Sequence, residues 1–150
     1  MSVALAFALQ AAVQRESLGI FERWGAFREA QRCFAIAQPV RARSPGFASI
    51  ASFPAQRVRG QFHARLSRQR ADRAQVTLSI GERRFQLVGG ASDAWAPDAR
   101  TDAAIVAAIR SARSMSVESV DAQGRPFADT YALRGAATAI DAAALGCAQR

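Results

Sequence analysis

The chain has no lysine, one histidine, two cysteines and no apolar run long enough to cross a bilayer. With a single histidine, His63, a histidine-rich metal centre is excluded. A zinc site wants several His, Cys, Asp or Glu ligands at close spacing, and neither Cys33 nor Cys147 has such neighbours. The cysteines also lack Cys-x-x-Cys spacing, which argues against thioredoxin-like redox chemistry. No serine occupies a Gly-x-Ser-x-Gly elbow. "LVGG" (87–90) is glycine-rich but is neither a Walker loop nor a dinucleotide fingerprint. No catalytic residue, metal or cofactor is therefore expected. The absence of lysine, with abundant alanine, looks like the imprint of a GC-rich coding sequence. It weakens the value of arginine as a sign of a selected ligand-binding surface.

What is present suits one globular domain. The 150 residues are half apolar, enough for a proper core without metals or many disulfides. The net charge is +8, carried by 20 arginines against 12 acids. From Ala30 to Ala71 there are eight arginines (32, 41, 43, 57, 59, 65, 68, 70) and no acid. From Phe85 to the end, six arginines face seven acids. The positive field thus belongs to the first half, and such a field attracts nucleic acid, anionic lipid or an acidic partner. A solvated arginine-rich surface is the plainer reading. Residues 1–14 read as a signal-peptide remnant or a short helix. "MSVALAFALQAAVQRE" has an apolar run from Val3 to Leu9 but no basic region before it.

Residues 15–150 read as a single β-rich domain. "GIFERWGAF" (19–27), "RCFAIAQ" (32–38) and "FASIASF" (47–53) are expected strands, the last two closed by Pro39 and Pro54. "VRGQFHARL" (58–66) alternates cleanly. Val58, Gly60, Phe62, Ala64 and Leu66 face the core, while Arg59, Gln61, His63 and Arg65 face out. "VTLSI" (76–80) and "FQLVGG" (85–90) form a hairpin across "GERR". Helices are expected at about 101–113, with Thr101 as N-cap, and at about 136–145, capped by Gly146. "SMSVESV" (114–120) and "FADTYAL" (127–133) make a second hairpin. The sum is mainly β: an antiparallel β-sandwich or barrel of about eight strands with two helices.

Candidate functional residues are few. His63 reads as a surface histidine with no orienting acid beside it. "SDAWAPD" reads as a loop anchored by a buried Trp95, with Asp93 and Asp98 around it and Asp102 serving the helix start. Arg57, Arg59, Arg65, Arg68, Arg70 and Arg73 form the candidate site for an anion or partner. A nucleic-acid reader of this type adds exposed aromatics for base stacking, and Phe62 falls on the core face. Three readings of the cysteines stay open: buried free thiols, one nucleophile, or a Cys33–Cys147 disulfide. The disulfide is preferred, because the even count and the signal-like start both suit an oxidising compartment.

The chain resembles the invasion-associated locus B proteins of alphaproteobacteria. The pieces that carry the resemblance are "FERWGAF" followed by "RCFAIA", then "TDAAIVAAIRSAR", "GRPFADTYALRGAATAID" and a terminal cysteine. It covers both ends of the chain, and the middle only as a strand-rich pattern. The spacing of Trp24 and Cys33 and the lack of a second cysteine pair depart from the family pattern. The resemblance implies an exported, β-rich, non-catalytic protein of the periplasm or envelope. Some family members are linked to the uptake of bacteria by host cells. The expected function is therefore an envelope protein that binds an anionic envelope polymer or a protein partner. The alternative is a cytoplasmic nucleic-acid-binding module that uses the arginine-rich first half.

Overall fold

The computed structural model describes residues 14–41 and 45–148. The apolar run at the start and Arg43 lie outside the described residues. Ten antiparallel strands form one sheet, with two helices. In chain order these are β1 (Glu16–Phe21), β2 (Trp24–Arg28), β3 (Cys33–Ala37), β4 (Phe47–Phe53), β5 (Val58–Arg65), β6 (Val76–Ile80), β7 (Arg83–Gly89), β8 (Asp93–Trp95), α1 (Ala99–Ser111), β9 (Ser114–Val120), β10 (Pro126–Ala132) and α2 (Ala136–Ala148). The spatial order is β1-β2-β3-β4-β5-β8-β7-β6-β9-β10.

The class read from the sequence holds, and two differences account for the strand count. The expected strand at 19–27 is a hairpin, β1 and β2, in which Phe21 pairs with Trp24 across Glu22 and Arg23. Glu22 takes a left-handed conformation, φ +57°, at a turn position usually filled by Gly, Asn or Asp. The other addition is β8, which lies within the expected loop 92–98.

The sheet coils until β10, at one end, meets the β2–β3 part of the other end. Val40 N–H donates to Thr130 O at 2.8 Å, and Trp24 Nε1 donates to Ala132 O at 2.8 Å. Between these ends lies the core, built on Trp24, Phe62, Leu78, Ile80, Val117 and Tyr131. From Phe62 on, the alternation falls as the sequence implies: Phe62, Ala64 and Leu66 are buried, whereas Val58 and Gly60 at the start of β5 are only half-buried. Gly135 joins β10 to α2 at φ +89°, where a side chain would collide with the carbonyl oxygen of Phe21. Only glycine suits both demands.

Both helices differ from expectation at their ends. α1 starts at Ala99, and its N-cap is Asp98, not Thr101: the Asp98 carboxylate accepts from Thr101 N–H at 2.7 Å. It ends at Ser111, so Arg113 lies beyond it. α2 continues through Gly146 to Ala148, so Gly146 is no cap. Ala136, Ala139, Ile140, Ala143, Gly146 and Cys147 form its buried stripe at helical spacing. Gly146 leaves room for Leu18 of β1. The stripe packs on β1, β2 and β3.

Candidate functional site

Cys147 closes the α2 stripe, and Cys33 opens β3 beneath it. Their sulfurs are bonded at 2.00 Å, with Cα atoms 5.8 Å apart and 114 residues between them in sequence. Both cysteines are more than nine-tenths buried. Of the three readings, the disulfide is the one found. It leaves no free thiol among the described residues.

Residues directly opposite one another on antiparallel strands share a face of the sheet. On β5, His63 lies opposite Ser49 of β4 and Trp95 of β8. The His63 ring stacks on the Trp95 ring at 4.9 Å, with 9° between planes, and Phe47 meets it edge-on at 5.3 Å. Two residues along, Arg65 lies opposite Asp93. The Asp93 carboxylate stands 2.7 Å from His63 Nε2 and 3.3 Å from Arg65 Nε. His63 is thus on the outer face, as its alternation implies, but it is half-buried and held by an acid. The lone surface histidine of the sequence reading is corrected in that respect. Ser49, His63 and Asp93 are neighbours here, yet no hydrogen bond joins the Ser49 hydroxyl to the imidazole. The arrangement orients a ring and presents an aromatic strip.

The three acids of "SDAWAPD" and its surroundings go separate ways. Asp93 faces outward to His63, and Asp98 caps α1. Asp102 is buried and accepts from Phe62 N–H at 2.9 Å, tying α1 to the centre of β5. Burial pushes the Asp102 carboxyl above the usual carboxylate range, only partly countered by the Phe62 hydrogen bond. Trp95 is half-buried rather than a buried anchor.

The six candidate arginines do not gather into one patch. Arg57 and Arg59 are exposed at the start of β5, and Arg65 at its other end, about 20 Å away at the rise of a strand. Arg68 Nη1 donates to Asp121 Oδ2 at 3.1 Å, with its guanidinium over the Phe127 ring. Arg70 donates to the carbonyl oxygens of Gly90 (2.7 Å), Gly89 (2.8 Å) and Ala74, bracing the turn between β7 and β8. Arg73 is exposed at φ +60°. Arg57, Arg59 and Arg73 have no acid partner among the described residues, whereas Arg68 and Arg70 serve the fold. The sequence reading missed the Phe47–His63–Trp95 strip. Its only signal was the outward phase of His63, because the cross-strand neighbours come from distant parts of the chain.

Among the described residues, no helix is long and apolar enough to cross a membrane. No family model matches the chain, and neither the characterised proteins nor the solved structures include a match.

Proposed function

We propose that this protein is an exported, non-catalytic binding domain of the bacterial envelope that engages an anionic envelope component or an acidic protein partner. The observation that carries the reading is the Cys33–Cys147 disulfide. A buried disulfide that fixes the last helix to an early strand belongs to an oxidising compartment such as the periplasm. The resemblance to invasion-associated locus B proteins supports the same location. The net charge of +8 supports an anionic partner, with Arg57, Arg59 and Arg73 exposed and without an acid partner among the described residues.

Fractionation of the native host tests this reading. The protein is expected in the periplasmic or envelope fraction. Recovery in the cytosol, with DNA retention that collapses steeply with salt, would overturn export in favour of the nucleic-acid module.

A further inference from the structure

The outer faces of the two halves of the sheet differ in chemistry. On β6, β7 and β9 most outward residues are polar, Val88 and Val120 being the exceptions: Thr77 pairs with Gln86 and Glu118, and Ser79 with Arg84 and Ser116. That is an ordinary hydrated face. On β1 to β4 the corresponding positions carry Ile20, Phe27, Ile36 and Phe47, around Gly25. Gly25 lies opposite both Ile20 and Ile36. Its missing side chain lets the Phe27 ring and Ile20 Cδ1 lie over the strand: a Cβ there would fall 2.6 Å from a Phe27 ring carbon and 3.1 Å from Ile20 Cδ1. Beside these side chains lies a groove of about 510 Å³, lined among others by Ile20, Phe27, Ile36 and Phe47. Ile20 is 65% exposed on an edge strand, a placement that ordinarily invites association.

We infer that this groove docks an extended segment of a partner protein that carries a large apolar side chain flanked by acidic residues. The inference rests on the binding role proposed above and gives it a place and a partner chemistry. The concave shape selects a chain over a membrane, because a bilayer is entered by protruding apolar side chains. The walls favour an apolar side chain: Ile20, Phe27, Ile36 and Phe47 line them, with the polar groups of Glu22, Arg23 and Gln38 beside these. Charge selects the acidic flank. Arg28 is paired with Glu16, Arg15 and Arg32 with Glu29, and Arg134 with Glu22. Arg23, in the wall of the groove, has no carboxylate partner among the described residues. The position of β1 at the sheet edge lets an extended segment lie alongside it.

The test is a fluorescence anisotropy titration of the full, oxidised chain with a short labelled peptide that alternates leucine and glutamate. A version with lysine in place of glutamate, and phosphatidylglycerol vesicles, serve as the other two probes. Binding of the acidic peptide alone is expected. Ile20→Glu and Arg23→Glu should each weaken it about tenfold or more. Both residues are exposed, so thermal unfolding should not move, and Val88→Ser at the far end of the same face should bind as before. No binding of the acidic peptide, equal binding of the lysine version, or indifference to Ile20→Glu would overturn the inference. So would vesicle binding that the same substitutions abolish. A cytosolic location would sink export and leave this titration standing, so the two failures are distinguishable.

Discussion

Trp24 and Ala132 stand 108 residues apart, and the indole Nε1 of one donates to the carbonyl oxygen of the other at 2.8 Å. This bond holds the β2 side of the sheet against its last strand. Trp24 is fully buried, so Trp24→Phe leaves the Ala132 carbonyl without its donor and a gap where the indole was. A loss of about 1–3 kcal/mol is expected, read from the midpoint of urea unfolding.

His63 and Trp95 should report on each other. Removing the imidazole by His63→Ala takes away the stacked ring and the Asp93 contact together. Stability should fall by about 1 kcal/mol. The near-ultraviolet circular dichroism of Trp95 should change. A spectrum identical to that of the unsubstituted protein would show that the two rings do not stack in solution.

Asp102 and Asp121 should respond to pH with opposite signs. The Asp102 carboxyl sits above its ordinary value because burial disfavours its charge. Its ionisation costs stability as pH rises through that raised value, and protonation relieves the cost. Asp102→Asn keeps an acceptor for Phe62 N–H and should match or exceed the original stability at neutral pH. Asp102→Ala loses the acceptor and should cost about 1–3 kcal/mol. Asp121 is held below its ordinary value by hydrogen bonds from the Arg125 and Gln123 N–H groups and by Arg68. Its contribution is present above the usual carboxylate value and disappears as pH falls through the lowered one. Acid unfolding of Asp121→Asn against the parent chain measures this.

The strands that alternate over five or more residues were legible before the structure. β5 and β6 show why: one face of each is buried and the other wet, so the sequence carries a period of two. β8 has three residues, too few for any period to show. The β1–β2 turn has Glu22 where a glycine or asparagine would have announced it, so two strands read as one. Gly146 looked like a helix stop because glycine usually is one. Here it faces Leu18, and only the packed structure shows that a side chain would not fit. The scatter of the arginines has the same origin. Linear proximity placed Arg57 through Arg73 together, whereas the strand, the turns and internal acceptors send them to different places.

The disulfide carries both the architecture and the proposed location. The bond shortens the unfolded chain's freedom across 114 residues. Replacing both cysteines by serine should cost on the order of 4–5 kcal/mol by the chain-entropy argument. Hydrogen exchange should show α2 protected less than the sheet in that variant, since it would then be held only by the packing of its stripe, the Arg28–Gly146 hydrogen bond and the Arg110–Asp141 ion pair.

Quantifying free thiols, after denaturation, in protein purified from its native compartment tests the central claim most directly. A value of zero is predicted, because Cys33 and Cys147 are bonded to each other. Two titratable thiols per chain would contradict the staple and, with it, the case for export.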